Sequence, residues 1–253
     1  MIVCSTGMLA LKLANRADKV ESNAMVNSVD AHDFDHWWNT RGPWVEEPNV
    51  RRSGTSGVQR VMQDGSCVYV KRQTGHTYRS LRFPLGRPTV IREGMALDRL
   101  FKLGVRAPQP IFYGARKING TWHGLLVTRE LAGFRDLETW LGDQALNGLS
   151  QEDHLVVLKN LAVLLAKLHR GRQQHGCMRA KHVFINSSAQ HNGGVSFDLA
   201  LLDLEKSRSR VSMLRAARHD VRQLRRHSSW NSAQWDYFLE LYEKELGRSF
   251  PFR

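Results

Sequence analysis

From Val50 the chain alternates apolar and polar positions with the two-residue period of β-structure. Val50–Ser53 leads into Gly54-Thr55-Ser56-Gly57 and then Val58–Met62, and Asp64-Gly65 is a hairpin signal before the return strand Cys67–Lys71. The pattern predicts two strands joined by a Gly-rich turn and a third ending in Lys71. Pro88–Leu103 reads as a helix, with Ile91, Leu97, Leu100 and Phe101 roughly on one face and Gly104 as its stop. Val105–Tyr113, with Pro108 and Pro110, reads as an irregular, partly extended connection, and Thr121–Leu131 as a strand after the Asn119-Gly120 turn. The period then lengthens. Phe134–Leu141 predicts a short helix, and Ser150 caps a long one whose Leu155, Leu158, Leu161, Ala162, Leu165 and Leu168 recur at helical spacing up to Gly171. A loop His175–His182 follows, then the strand Val183–Ile185, a polar turn Ser187–Gly194, an apolar strand Leu199–Leu202 ending at Asp203, and a helical segment Ser212–Leu246. This order predicts an α+β, two-lobe plan: a small β-rich lobe with one helix, a connector, and a larger, mostly helical lobe.

Composition narrows the function classes. The 253 residues carry 37 Lys+Arg against 24 Asp+Glu, a net charge of +13, and 42% are hydrophobic. That is enough apolar surface for a core, and no apolar run is long enough for a transmembrane helix. Three cysteines, Cys4, Cys67 and Cys177, make no disulfide framework and point to a reducing, cytoplasmic setting. Residues 1–24 read as a loose extension or a short amphipathic helix and make a poor signal peptide. Trp37, Trp38 and Trp44 in Asp30–Pro48 are expected to anchor that stretch onto the fold, with ligand stacking as the alternative. More than half of the net charge sits in Lys206–Arg226, where Lys206, Arg208, Arg210, Arg215, Arg218, Arg222, Arg225 and Arg226 face the single acid Asp220. Such a run is a solvated helix face or a surface for an anionic acceptor. Nucleic acid ranks lower, because no aromatic platform is interleaved with the charges.

The chemistry-bearing residues fall in a telling order. Gly54–Gly57 sits between strands, where bare backbone can approach phosphate oxygens. Lys71 ends a strand and Glu93 stands in the first turns of the next helix. Leu168–Asn186 (LHRGRQQHGCMRAKHVFIN) is followed by Ala200–Arg208 (ALLDLEKSR). On these residues the sequence resembles the protein-kinase-like superfamily, and more narrowly the bacterial lipopolysaccharide kinase group in its InaA-like branch, over about residues 48–245.

The resemblance implies a protein-kinase-like two-lobe fold. It divides the chain into an extension with the Trp-rich segment (1–47), an N-lobe (48–131) and a C-lobe (132–253). It implies ATP as cofactor with Mg²⁺, or alternatively Mn²⁺. Gly54, Thr55, Ser56 and Gly57 would cover the phosphates, Lys71 would contact them and pair with Glu93, and Glu130 and Leu131 would hold adenine through backbone groups. Asp203 would bind the metal, His182 would take the place of a metal-binding Asn, and Arg179 that of a catalytic-loop Lys. Asp220 resembles the buried Asp that holds the loop backbone. Lys206, Arg208, Arg210 and Arg215 would face the acceptor, an anionic glycolipid or phosphorylated glycan at the inner face of the membrane.

One position departs from the pattern. Cys177 stands where active kinases have the Asp that accepts the substrate proton, and a thiol is mostly neutral at pH 7. Two readings follow: a kinase that works with His175, another carboxylate or no strong base, or a nucleotide-binding pseudokinase. A non-enzymatic anion-binding protein is a third class. His175 itself reads either as a base or as a structural residue tying the loop to the Asp203 segment.

Overall fold

A computed structural model describes residues 31–51, 54–80, 83–147, 150–189 and 195–249; the expected extension 1–24 lies outside them. The chain runs through helix α1 (Ala31–Asn39), strands β1 (Trp44–Arg51), β2 (Gly54–Gln63) and β3 (Ser66–Thr74), a small hairpin of β4 (Thr77–Ser80) and β5 (Phe83–Pro88), helix α2 (Thr89–Lys102), and strands β6 (Pro110–Ile118) and β7 (Thr121–Arg129). Five of these strands make an antiparallel sheet in the order β1-β2-β3-β7-β6. Asp64 and Gly65, both at positive φ (50° and 75°), close the β2–β3 hairpin as its sequence predicts.

Two expectations change here. Pro110–Tyr113 belongs to a regular strand, β6, because β6 is an edge strand and Pro110 is its first residue, where a missing N–H costs no ladder bond. Gly54–Gly57 is not a free turn. It forms the first four residues of β2, paired with β1 on one side and β3 on the other. Its glycines serve close packing: a Cβ on Gly54 would lie 2.6 Å from the Thr74 carbonyl, and one on Gly57 would lie 2.8 Å from the Trp44 ring.

Alternation along β3 sends Val68 and Val70 to one face and Lys71 to the other. The apolar face packs with Val61, Phe112, Leu125 and Val127 under Phe34 and Trp37 of α1. Arg72 fastens α1 by donating to the carbonyls of Trp38 (3.2 Å) and Trp37 (3.0 Å) near the helix end. The expected anchoring role thus falls to Trp37 and to Trp38, which packs against the same cluster, whereas Trp44 is exposed in β1.

The C-terminal part comprises β8 (Arg135–Asp136), α3 (Leu137–Asn147), α4 (Gln151–Arg170), β9 (Gln173–Gln174), β10 (Val183–Ala189), β11 (Val195–Leu201), β12 (Arg208–Ser209), α5 (Met213–His227) and α6 (Ser232–Leu246), with one-turn 3₁₀ helices at Ala180–His182 and Leu204–Lys206. Helix α3 starts three residues later than predicted. Arg135 and Asp136 pair with β10, and the Asp136 carboxylate then caps the helix by accepting the Thr139 N–H at 2.8 Å. Ser150 caps α4 as expected, accepting the Asp153 N–H at 3.0 Å. The apolar stripe of α4 packs against Phe238, Leu239 and Tyr242 of α6 and Ala217, Val221 and Leu224 of α5. Val90, Ile91, Leu97 and Leu100 of α2 belong to this same core, so α2 links the sheet to the helical lobe. Among the described residues, no helix is long and apolar enough to cross a membrane.

Candidate active site

Lys71 and Glu93 meet where β3 crosses α2, and the ammonium donates to Glu93 at 2.9 Å. A second carboxylate, Glu205, accepts from the same ammonium at 2.7 Å. The three side chains are 19%, 10% and 22% exposed, so the charges are held largely out of water. Burial alone would lower the Lys71 pKa, but its two carboxylates outweigh that and raise it well above the ordinary lysine value. Burial likewise works to raise Glu205, yet Lys71 wins and its pKa falls.

Gln73, two residues after Lys71 and on the same face of β3, ties this cluster together. Its carbonyl oxygen accepts from Thr89 Oγ1 (2.8 Å) and the Val90 N–H (3.1 Å), capping α2 where Pro88 offers no side-chain cap. Its amide donates to Glu205 at 2.9 Å. Gly94 lets α2 lie close to the sheet, since a Cβ there would sit 2.3 Å from the Tyr113 ring. Sequence reasoning assigned no role to Gln73, Glu205 or Gly94. The available signal was register: Gln73 shares the face of Lys71, and Glu205 follows Asp203 by two.

The loop after α4 is held from behind by Asp220. Its carboxylate is fully buried and accepts the N–H groups of His175 (2.6 Å) and Gly176 (2.9 Å), with His169 Nε2 and His219 Nδ1 each at 3.2 Å. A carboxylate can only accept, so His169 carries its proton on Nε2 and its Nδ1 accepts from the Tyr242 hydroxyl at 2.7 Å. Burial would raise the Asp220 pKa, but the bonds from His169 and His219 overcome it and hold the group far below the carboxylate range. His169 was not singled out in the sequence, because it continues the apolar stripe of α4 and reads as helix filler.

His175 ties the loop to the Asp203 segment through both of its ring nitrogens. Its Nε2–H donates to the Leu202 carbonyl at 2.8 Å, and its Nδ1 accepts from the Cys177 N–H at 3.3 Å. The ring is fully buried, and burial lowers its pKa. Gly176, at φ 87°, packs so closely that a Cβ would meet the Lys206 carbonyl at 2.4 Å.

This scaffold brings Cys177, His182 and Asp203 together. One ligating atom from each lies within 4.8 Å of the other two. His182 Nδ1 donates to the Cys177 carbonyl at 2.6 Å, and its Nε2 faces the Asp203 carboxylate at 3.3 Å. Asp203 adopts a left-handed backbone (φ 58°), and its side chain is 44% exposed. Asp203 offers the oxygen that Mg²⁺ takes from a protein alongside nucleotide phosphates, whereas the thiol and imidazole are not donors Mg²⁺ prefers. As a set of three, the residues do not fit a magnesium site. Arg179, three residues before His182, has a buried Nε without a protein partner.

The remaining expected residues are arranged less openly. The Glu130 side chain accepts from Arg60 (3.3 Å) and Tyr69 (3.1 Å), and its N–H donates to the Cys67 carbonyl at 3.0 Å. The Leu131 carbonyl accepts from Phe134 at 3.1 Å. Two of the backbone groups expected to hold adenine are therefore already engaged. Arg210 is bonded to the Gln174 side chain, while Lys206, Arg208 and Arg215 are exposed. Arg215, Arg218, Arg222, Arg225 and Arg226 lie exposed on α5, at spacings that put them on neighbouring turns.

The model of the lipopolysaccharide kinase (Kdo/WaaP) family matches residues 35–242. The chain belongs to that family. Protein InaA of Escherichia coli (strain K12) is 41% identical over 219 residues, which cover 86% of this chain and 99% of that protein. Among solved structures, WaaP in complex with acyl carrier protein is similar at a TM-score of 0.65 and 20% identity, covering 84% of this chain and 82% of that one. The Rio2 kinase–ADP/Mg²⁺–phosphoaspartate complex from Chaetomium thermophilum is similar at a TM-score of 0.51 and 12% identity, covering 87% and 65%. These likenesses show the protein-kinase-like fold, and the family is one of phosphotransferases.

Proposed function

We propose that the protein is an ATP-dependent phosphotransferase that phosphorylates a sugar hydroxyl of the lipopolysaccharide core, in the cytoplasm at the inner face of the membrane. The observation that carries this reading is the 2.9 Å bond between Lys71 and Glu93, the pairing a kinase needs to present its lysine to nucleotide phosphates. Nucleotide would lie between the lobes 48–131 and 132–253. The β1–β2 hairpin, with Gly54–Gly57, would cover its phosphates and the Glu130–Leu131 segment would border the base. Mg²⁺ arriving with ATP would offset phosphate charge, with Asp203 as its protein ligand. Arg179, whose guanidinium has an unpartnered buried Nε, would steady charge on the transferring phosphoryl group. No carboxylate stands at Cys177. The acceptor hydroxyl would therefore keep its proton until late in a loose transition state and then give it to an oxygen of the transferred phosphoryl group or to water, with positioning supplying most of the rate. The exposed cations Lys206, Arg208 and Arg215 would attract an anionic glycolipid acceptor.

A second reading, a nucleotide-binding pseudokinase, is favoured by Cys177 and by Glu205, which already occupies the Lys71 ammonium at 2.7 Å. The test is in two stages. ATP should raise the thermal midpoint of the wild type and raise it less in Lys71→Ala. Labelled phosphate should then pass from ATP to purified core glycan, and fail to do so with Asp203→Asn. ATP binding without transfer supports the pseudokinase, and absence of both rejects nucleotide chemistry.

A further inference from the structure

We propose that Cys177, His182 and Asp203 form a binding site for one borderline-soft divalent cation, Zn²⁺ in particular, with a fourth coordination position open. The inference goes beyond the phosphotransferase reading and does not require it, but it shares Asp203 with it: with this cation bound, Asp203 would have only its second carboxylate oxygen left for the Mg²⁺ that arrives with ATP.

Three features of the cluster carry it. The first is donor chemistry: one sulfur, one imidazole nitrogen and one carboxylate oxygen form a set that suits Zn²⁺ and is poor for Mg²⁺. A thiolate and a carboxylate together also neutralise a divalent charge.

The second is orientation. The Cys177 carbonyl can only accept, so His182 carries its proton on Nδ1, 2.6 Å away. In the neutral ring the Nε2 lone pair then faces the Asp203 carboxylate, itself an acceptor, at 3.3 Å. Two acceptors at that distance need a cation between them, either a proton or a metal ion. A backbone carbonyl on the far ring nitrogen is the arrangement that fixes metal-bound histidines.

The third is distance. Two ligands about 2.1 Å from a tetrahedral zinc lie about 3.4 Å apart, and a sulfur and a nitrogen lie about 3.6 Å apart. The 3.3 Å between His182 and Asp203 is already such an edge. The thiol lies no further than 4.8 Å from either partner, so a small side-chain rotation completes the face. With Asp203 partly exposed, solvent can reach the cluster to fill the fourth position.

The test uses untagged full-length protein carrying Cys4→Ser and Cys67→Ser, which leaves Cys177 as the one thiol. Co²⁺ should bind one ion per chain. It should show tetrahedral visible bands and a near-ultraviolet thiolate-to-cobalt band, bleached by one equivalent of Zn²⁺ and unaffected by a large excess of Mg²⁺. Cys177→Ser should abolish the thiolate band. Cys177→Ser and His182→Gln should each weaken Zn²⁺ binding about 10- to 100-fold. Cys177→Asp should weaken Zn²⁺ binding and tighten Mg²⁺ binding. Thermal unfolding of the metal-free variants checks that each is folded, and the cobalt spectrum of the parent protein decides the matter without any of them. Saturating Co²⁺ without a thiolate band, or bleaching by Mg²⁺, overturns the proposal and leaves a protonated His182–Asp203 pair as the occupant. None of these readouts involves phosphate transfer, so they stand apart from the fate of the kinase reading.

Discussion

Replacing Asp220 by Asn removes the charge and half of the acceptor capacity behind the loop while keeping the shape. The native carboxylate accepts two buried backbone N–H groups, from His175 and Gly176, and two imidazole N–H groups, from His169 and His219. An Asn has one oxygen, so its NH₂ must face donors on the other side and at least one backbone N–H loses its partner. Hydrogen bonds to a charged group contribute about 1.5–3 kcal/mol each, and a stranded buried donor costs about 1–3 kcal/mol. His219 is partly exposed and recovers water, so the net expectation is about 3 kcal/mol, a large share of the roughly 5–15 kcal/mol of a typical domain. With a urea slope of about 2 kcal/mol per molar, the unfolding midpoint should fall by about 1.5 M at pH 7. The effect also has a pH signature. The folded pKa of Asp220 lies below its unfolded value, so its stabilisation is complete above the unfolded value near 3.9 and is lost as pH falls towards the folded value. The gap between wild type and variant should therefore narrow by roughly 0.7 kcal/mol between pH 7 and pH 3.5. A midpoint shift under about 0.3 M at pH 7, or a gap that widens on acidification, would refute the reasoning.

Three further outcomes are expected. Lys71→Ala leaves Glu93 and Glu205 facing each other without a cation, which should cost about 2 kcal/mol in urea unfolding given their partial exposure; adding Glu205→Gln should recover part of that loss, and strict additivity would contradict the pairing. Glu205→Gln alone frees the ammonium for phosphate and should tighten ATP binding by calorimetry by about tenfold, about 1.4 kcal/mol; weaker binding would show that Glu205 assists nucleotide. Gly94→Ala drives a methyl into the Tyr113 ring and should displace α2, lowering both thermal stability and ATP affinity; an unchanged ATP affinity would mean that α2 does not set the Lys71–Glu93 distance.

The sequence alone determined the elements whose cause is local. The Asp64-Gly65 turn, the Ser150 cap, the long apolar stripe of α4 and the helix from Thr89 to Lys102 follow from residue type and spacing, and each stands where the pattern put it to within a residue or two. Residues that match the family's order, Lys71, Glu93, Asp203 and Asp220, were likewise legible before any packing was known. Tertiary structure decided what depends on partners far along the chain. Only folding brings Gln73 and Glu205, separated by 132 positions, into one hydrogen bond, and only the sheet turns Gly54–Gly57 from a turn into a paired strand. The role of His175 was open in the sequence because a histidine's chemistry depends on what its two nitrogens touch, and here both are spoken for. For Cys177 the sequence showed a missing carboxylate. The fold sets its thiol beside His182 and Asp203, and the Cys177 carbonyl orients the His182 ring by accepting from its Nδ1.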